Sequence, residues 1–173
     1  MAQSDYFLKL DGIDGESADR IHKETIEISS WSWGESNAVG RGRGGGGGGA
    51  GKVQMQDFHF KMDVSKASPK LFLACATGQH IKLATLFVRK AGGDQPQDYL
   101  KIELTDILVS SYDVGGGQPS PGDATTPGGD GSPSESLSLN FTKIVWTYMP
   151  QSADGSAAAP IVAGWDLATQ KKV

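Results

Sequence analysis

The sequence has one cysteine, no long apolar run and no basic leader. Cys75 is the only cysteine, so an internal disulfide bond is excluded, and its place in a predicted helix favours a small buried side chain. No stretch approaches the ~20 apolar residues of a membrane-spanning helix. Residues 1–5 lack the basic start and apolar run of a signal peptide. We therefore expect a protein that is synthesised and folded in the reducing cytoplasm, without membrane insertion.

Strong charge is also lacking. The formal net charge is −4, which disfavours a nucleic-acid or anionic-membrane partner. The stretch Arg41-Gly42-Arg43-Gly44 resembles RNA-binding RGG segments, but two arginines in an acidic chain do not create the field that attracts phosphates. The sequence thus predicts no nucleic-acid partner.

Catalytic and metal-binding patterns are lacking as well. The histidines His22, His59 and His80 have no histidine, cysteine or carboxylate at metal-ligand spacing, and there is no Gly-x-Ser-x-Gly elbow. Each histidine is expected to be exposed or hydrogen-bonded. A pair of catalytic carboxylates assembled from distant strands stays open, although no pattern points to one. We expect no enzyme, no cofactor and no metal.

Glycine, in contrast, is abundant and concentrated. Sixteen of the 24 glycines lie in residues 40–51 and 115–131, and nine of the twelve residues from Gly40 to Gly51 are glycine. Such a run cannot hold a helix or pack a core, because glycine loses the most backbone entropy on ordering and has no side chain. The sequence predicts long glycine-rich loops over residues 34–52 and 114–134.

The first loop has four possible roles: a phosphate cradle, an RNA-binding segment, a disordered spacer, or an arm that reaches a neighbouring molecule. Gly46 to Lys52 resembles the opening of a Walker A loop. However, Val53 stands where Ser or Thr should hold magnesium, and it begins a strand pattern. Because the charge disfavours RNA binding, the spacer and the arm remain.

The rest of the chain shows the alternation of apolar and polar residues that is typical of strands. The apolar parity set by Ile26 and Ile28 is shifted by one residue at Trp31. This shift requires a β-bulge or a transfer between sheets near Ser29-Ser30. A matching shift before Phe58 indicates a strongly bent sheet. The pattern predicts a single mainly β domain over residues 1–173, built as a two-sheet β-barrel with one flanking helix.

That helix is expected to begin with Ser68 as the N-cap and Pro69 as its first residue, and to end at Gly78. Later strands are expected at residues 81–88, 99–104, 107–112, 136–149 and 161–167. The sequence predicts a turn at Thr105-Asp106. It also predicts a bend at Thr142-Lys143 within the strand expected to be the longest, 136–149.

The polar side of the strands is small, neutral and poor in charge. It comprises Ser32, Gln54, Gln56, Ser138, Asn140 and Thr142. A plain solvent-facing surface is the simpler interpretation, and the lining of a wet passage is the alternative. The four tryptophans fall on the apolar parity and are predicted to lie in the core. This disfavours the alternative hypothesis of a monomeric β-sandwich binding module, which needs an exposed aromatic platform.

The most specific combination of motifs is Trp31-Ser32-Trp33-Gly34 joined to a glycine-rich loop that ends in Ala50-Gly51-Lys52-Val53. It resembles the haemolysin-coregulated protein (Hcp) family, the tube protein of bacterial type VI secretion. The resemblance also runs through Tyr6 to Leu10, Gly15-Glu16-Ser17, Gln56-Asp57, Ser68-Pro69, Ala74-Cys75, Arg89-Lys90-Ala91-Gly92-Gly93, Tyr99-Leu100, Leu108-Val109-Ser110-Ser111, Leu139-Asn140-Phe141, Ala153-Asp154-Gly155 and Gly164-Trp165.

The resemblance implies a homohexameric ring, and rings that stack into a tube. A contractile sheath drives such a tube, tipped by a spike protein, out of the cell, so secretion without a signal peptide is implied. Effectors carried and stabilised in the ring lumen are also implied, with Ser32 as the lumen contact. The family's extended loop implies ring or stacking contacts for Gly44, Gly45, Gly46, Gly47, Gly48, Gly49 and Lys52.

Two features depart from the family pattern. The loop from Gly115 to Pro133 is longer and richer in proline than the family leads us to expect, which leaves its ring contacts open. The sequence ends at Val173 with no added toxin domain, so the resemblance implies a structural and carrier role.

Overall fold

The computed structural model describes residues 4–39, 50–90, 96–116, 133–151 and 158–173. Within these ranges the chain forms twelve β-strands and one α-helix. In chain order they are β1 (Ser4–Leu10), β2 (Ile26–Ile28), β3 (Ser30–Ser32), β4 (Glu35–Val39), β5 (Ala50–Met55), β6 (Phe58–Asp63), α1 (Ser68–Thr77), β7 (Ile81–Lys90), β8 (Asp98–Gly115), β9 (Ser134–Asn140), β10 (Lys143–Tyr148), β11 (Ile161–Asp166) and β12 (Lys171–Lys172). The predicted mainly β fold with one helix is confirmed.

Ten strands form one connected antiparallel sheet with two branches. The large branch has the order β12-β11-β10-β8-β7-β1-β2. The small branch leaves β8 and runs through β9 and β6 to β3. The described strands thus make one large sheet, and its closure into a two-sheet barrel stays a prediction.

Strand β8 joins the two branches. Its first half lies between β7 and β10, and its second half pairs with β9. At the change of partner Asp106 has a φ of 53°, in the left-handed region that aspartate tolerates better than most residues. The predicted turn at Thr105-Asp106 is therefore wrong. The strand bends there and continues, because paired neighbours hold it on both sides of the bend.

Two other predicted shifts are found in the sheet. Strand β2 pairs with β1 whereas β3 pairs with β6, and Ser29 between them donates its N–H to the carbonyl of Lys61 at 2.8 Å. The sequence predicted a β-bulge or a transfer between sheets near Ser29-Ser30; the chain changes its partner strand there, between two branches of one connected sheet. The strand predicted over 136–149 breaks at Phe141-Thr142 into β9 and β10, so the longest strand is β8, with 18 residues.

Strands β4 and β5 form a hairpin that pairs with no other strand of the described chain. The flanks of the expected loop over 34–52 are therefore paired strands, and residues 40–49 lie outside the described ranges. The second expected loop, 114–134, is bracketed by the end of β8 and the start of β9. Residues 117–132 also lie outside the described ranges.

Helix α1 packs on the apolar side of the sheet. Its N-cap is Ala67, not Ser68 as predicted, and Pro69 lies in its first turn. It ends where predicted, because Gly78 adopts a φ of 66° and donates its N–H to the carbonyl of Ala74. Cys75 is half-buried against the core. No helix within the described ranges has the length and apolar character needed to cross a bilayer.

The core lies between α1 and the apolar side of both branches. Phe58 and Phe60 of β6 are fully buried, and Phe58 stacks on Trp31 and Trp33 with ring centroids 5.7 and 6.0 Å apart. Burying an aromatic or aliphatic side chain of this kind contributes about 1.5–3 kcal/mol. Because a register slip would turn these side chains outward, the core also fixes which residues face away from it.

Candidate functional site

One side of the small branch is a polar surface, which we call the polar face. Residues directly opposite each other on neighbouring strands share a face, so the register places eight side chains there in two rows. One row is Ser32, His59, Ser138 and Ser111, and the other is Ser30, Lys61, Ser136 and Asp113. Together they border a shallow groove of about 440 Å³.

The polar face is rich in hydroxyl groups and nearly balanced in charge. Five of its eight members are serines, and the others include one lysine and one aspartate of opposite sign. His59 Nδ1 and Ser138 Oγ share a hydrogen bond of 2.7 Å, which holds the imidazole along the sheet. Ser32 is exposed beside His59. Such a surface offers hydrogen bonds to a passing molecule but little apolar area.

The sequence predicted part of this face. Of the six polar residues expected to share it, only Ser32 and Ser138 lie in the two rows. Asn140 follows Ser138 on the same side of β9, beyond the two rows, and donates to Asp57. The other three are elsewhere: Gln54 is in the hairpin, Gln56 follows it, and Thr142 donates to the Thr105 carbonyl. Strand alternation could have placed Ser30, Lys61 and Ser136, which the sequence prediction missed, on the polar face. Their neighbours across the sheet are set by register, which the sequence alone does not give.

The opposite, apolar side of the sheet carries an open cleft of about 880 Å³, which we call the tryptophan cleft. One wall is the β4–β5 hairpin, with Val53 and Met55, and the other is β10–β11. Its main apolar members are Trp33, Val53, Met55, Ile144, Trp146 and Trp165. The cleft has the size of a typical binding pocket.

The four tryptophans were predicted to be core residues, and the structure corrects this in part. All four are half-buried and pack against the core, but Trp33, Trp146 and Trp165 also line the open cleft. Trp33 Nε1 donates to the carbonyl of Gln56 at 2.9 Å. Trp165 Nε1 is shielded from solvent and meets no acceptor in the described part of the chain. The apolar parity correctly placed the four tryptophans on the core side of the sheet. The β4–β5 hairpin, however, does not cover the rings of Trp33, Trp146 and Trp165.

The predicted loop contacts have different outcomes. Lys52 is exposed on β5 and lies at the border of the tryptophan cleft. The run from Gly44 to Gly49 lies outside the described residues, so its role stays a prediction. Ser32 and Lys52 are therefore on two different surfaces, the polar face and the cleft.

A charged cluster fixes the loop between β1 and β2. Arg89, buried at the end of β7, donates from Nη2 to Asp19 Oδ2 at 2.7 Å and to Asp5 Oδ2 at 3.3 Å. The hydrogen bond from Arg89 holds the pKa of Asp19 well below its usual range, and the same bond raises the pKa of Arg89. The cluster leaves Asp19 ionised and orders the loop around it.

The histidines are hydrogen-bonded, as predicted, and each has a structural partner. His22 is buried between the rings of Phe7 and Phe87, and its Nε2 lies 2.9 Å from Asp98 Oδ1. His80 Nδ1 lies 2.6 Å from Asp106 Oδ1 at the bend of β8. Across the described ranges no group of three or more His, Cys, Asp or Glu side chains is placed to hold a metal ion. The expectation of no metal and no cofactor stays a prediction.

A buried carboxyl lies behind the polar face. Glu135 of β9 is almost fully buried and accepts a hydrogen bond of 2.5 Å from the Tyr112 hydroxyl. Burial, together with this carboxylate, raises the pKa of Tyr112 to about 12. Helix α1 packs against β8, the strand that carries Tyr112.

The sequence profile described as "Type VI secretion system effector, Hcp" matches residues 7–148. The chain belongs to the Hcp family. It is 42% identical over 164 residues to protein hcp1 of Pseudomonas aeruginosa, with 94% of each chain covered. The crystal structure of Hcp1 from Salmonella typhimurium superposes with a TM-score of 0.77 at 34% identity, with 100% of both chains covered.

A type VI secretion system effector from Yersinia pestis superposes with a TM-score of 0.70 at 31% identity, covering 94% of this chain and 99% of that one. As an Hcp family member, the chain is a tube protein of the type VI secretion system, and the hexameric ring is the assembly known for the family. The family is structural and secreted. This favours the tube function over the alternative of a monomeric binding module.

Proposed function

We propose that six copies of this Hcp protein form a ring whose lumen is lined by the polar face. The observation that supports this most is the composition of the two rows, in which serines outnumber charged groups and no large apolar side chain is present. A channel wall should hold water and release its cargo. Small hydroxyl groups serve both needs, because they are well hydrated and add little apolar area.

We also propose that the ten-stranded sheet closes on itself as a two-sheet barrel. The chain runs from β2 to β3 through Ser29 alone, so the strand that ends the large branch is continuous with the strand that ends the small branch. Ser29 supports the corner by donating to Lys61. Such a corner is how strands change sheets in orthogonal packings.

Free sheet edges support a head-to-tail ring. In the small branch, β3 is paired only with β6, and the second half of β8 is paired only with β9, within the described residues. Exposed strand edges invite pairing with another chain. An interface that joins the β3 edge of one subunit to the β8 edge of the next is heterologous, and sixfold rotation closes it into a ring. The polar faces then continue around the lumen.

The remaining partners follow from the same arrangement. We propose that the hairpin carries the arm of residues 40–49, so that Gly44 to Gly49 and Lys52 contact the adjacent subunit or ring. Such an arm loses conformational entropy on docking, so stacking should be weak in solution and cooperative on the spike. Effectors would occupy the lumen, and the sheath would surround the tube. Export by this machine requires no signal peptide.

The lumen assignment is tested with Ser32→Gln. The larger amide narrows the channel and replaces a small hydroxyl, so co-expressed small effectors of the same secretion system should co-purify less, while the hexamer persists. Native mass spectrometry reads the ring, and quantitative immunoblotting reads the effector. Ser36→Gln is the matched control, because Ser36 is exposed on the hairpin and not on the polar face. Equal effector retention by both variants would remove Ser32 from the lumen wall.

A further inference from the structure

The tryptophan cleft is an apolar surface that is open to solvent. One wall is a two-stranded hairpin that has no strand neighbour in the described chain, and isolated hairpins are marginally stable in water. Inside the cleft, Trp165 Nε1 is hidden from solvent and has no acceptor among the described residues. A buried donor left without a partner costs about 1–3 kcal/mol. Both observations point to a missing occupant that packs between the walls and supplies an acceptor.

The outer side of α1 is a matching apolar surface. Phe72 and Leu73 are adjacent in the sequence, and their side chains are 60% and 54% exposed. The helix carries a single charged residue, Lys70, whose Nζ bonds the Gly12 carbonyl. Adjacent large apolar side chains at the surface of a helix mark an interaction site more often than a single one does.

The helix lies along the second half of β8, the half with the free edge. The helix packs against β8, with Ser68 at its start near the Tyr112 hydroxyl. Beyond its end, His80 bonds Asp106 at the bend of the strand. The side chain of Tyr112 packs against the core, so α1 stands behind β8, on the side away from the polar face.

The tryptophan cleft holds the equivalent position at the other edge of the small branch. Trp33 follows directly after β3, and its ring packs against the core and lines the cleft. Joining the β3 edge of one subunit to the β8 edge of the next therefore brings the neighbour's α1 to the cleft, on the same side of the joined sheet. The β3 and β8 edges would pair, and α1 would meet the tryptophan cleft, in one docking step.

We propose that Phe72 and Leu73 of one subunit fill the tryptophan cleft of the next subunit, where an acceptor of that neighbour receives the Trp165 Nε1 proton. The inference rests on the proposed ring, and it adds an outer apolar layer to the edge pairing. Its occupant is a second copy of this chain, because the ring supplies one α1 to every cleft. Hot spots of protein interfaces are typically aromatic anchors in such desolvated pockets.

Disulfide trapping tests the contact directly. Leu73→Cys and Ala163→Cys are combined in a chain in which Cys75 is replaced by Ser, because Cys75 lies on the same helix. Ala163 lines the cleft and is exposed. Mild oxidation should yield a ladder up to hexamers on a denaturing gel. Ile21→Cys with Ala163→Cys is the control pair, since Ile21 is 57% exposed but lies in the loop between β1 and β2; it should give no ladder.

Charge variants test how much Phe72 and Leu73 contribute to the stability of the ring. Phe72→Glu with Leu73→Glu should raise the concentration at which rings form by about tenfold or more, with the secondary structure unchanged because both side chains are exposed. Ile21→Glu should leave that concentration unchanged. The inference would be overturned, while the ring stands, if the wild type forms hexamers but the Leu73→Cys/Ala163→Cys chain gives no ladder and the double-glutamate chain forms rings at the wild-type concentration. A wild-type chain that stays monomeric by light scattering would overturn the proposed ring, and this inference with it.

Discussion

The polar face and the tryptophan cleft meet at the end of β3 and have opposite chemistry. Strand β3 contributes Ser30 and Ser32 to the polar face, and the chain then supplies Trp33 to the cleft. The polar face presents hydroxyl groups with little apolar area, whereas the cleft presents three indole rings. Where the two surfaces meet, strand alternation places Ser32 and Trp33 on opposite sides, because successive side chains of a strand point in opposite directions. In the proposed ring, the cleft would bind a neighbouring subunit and the polar face would release cargo.

The largest expected effect comes from the residue that supports both surfaces. Phe58 is fully buried and stacks on Trp31 and Trp33. Phe58→Ala should lower the free energy of unfolding by about 3–5 kcal/mol, because it removes the ring and leaves a cavity. Urea denaturation at a fixed protein concentration measures the change.

The matched control for this prediction is Ile21→Ala. That side chain is 57% exposed, so its truncation should change the free energy of unfolding by no more than about 0.5 kcal/mol. A loss below about 1 kcal/mol for Phe58→Ala would mean that the ring stack does not hold the two surfaces together.

A variant of the charged cluster at Arg89 should change the stability of the subunit without changing ring assembly, because the cluster lies on neither the polar face nor the tryptophan cleft. Asp19→Asn should lower the free energy of unfolding by about 2 kcal/mol at pH 7, since the buried Arg89 loses its closest charged acceptor. Ring formation should be unchanged by native mass spectrometry. A ring lost in this variant at temperatures where the subunit remains folded would show that the cluster also serves the interface.

The stability difference between wild type and Asp19→Asn should depend on pH. The pKa of Asp19 is depressed in the folded chain by the Arg89 hydrogen bond. Its stabilising contribution is therefore complete above the unfolded-state pKa of about 3.9, and it is lost as the pH falls toward the folded-state value. The difference in unfolding free energy between wild type and Asp19→Asn should be constant from about pH 7 to pH 5 and shrink below about pH 4. A difference that grew in acid would contradict this sign.

A single indole N–H distinguishes a cleft that is complete in the monomer from one that is completed by a neighbour. Trp165→Phe removes the unpartnered Nε1 donor. The relief of that unpaired donor offsets the loss of indole contact area, so monomer stability should stay within about 1 kcal/mol of wild type. The variant should weaken the ring, because the neighbour's acceptor loses its donor. Dilution followed by light scattering measures the ring. Trp146→Phe is the control, since the Trp146 indole lines the same cleft without a buried orphan nitrogen among the described atoms.

Local patterns predicted the strands and the helix well, because each depends on residues near in sequence. The parity shift after Ile28 predicted the crossing at Ser29, and Gly78 predicted the helix end. The predicted turn at Thr105-Asp106 failed because the pairing of β8 with distant strands outweighs its local turn signal. Tertiary context overrides local preference most easily in strands.

The candidate site was harder to predict than the fold. Ser32 was chosen through the family resemblance, and alternation placed it on the side away from Trp31. The rest of the polar face depends on which residues of four strands stand opposite each other, and register is set by the whole core. The tryptophan cleft was missed because apolar parity indicates a side turned from water and does not show whether another chain completes it.

Variants of Ser30 are expected to change stability the least, and they test why the polar face is rich in serine. Ser30 is exposed there, opposite Lys61, so Ser30→Ala and Ser30→Leu should each alter the free energy of unfolding by no more than about 0.5 kcal/mol. Their effect on the lumen should differ. Six leucines would add an apolar band to the channel wall, and purified Ser30→Leu rings should retain more of a denatured model protein than wild-type or Ser30→Ala rings. Ser36→Leu adds the same side chain to the hairpin and should retain no extra protein. Equal retention by all four would show that low adhesion is not the reason for the serines of this face.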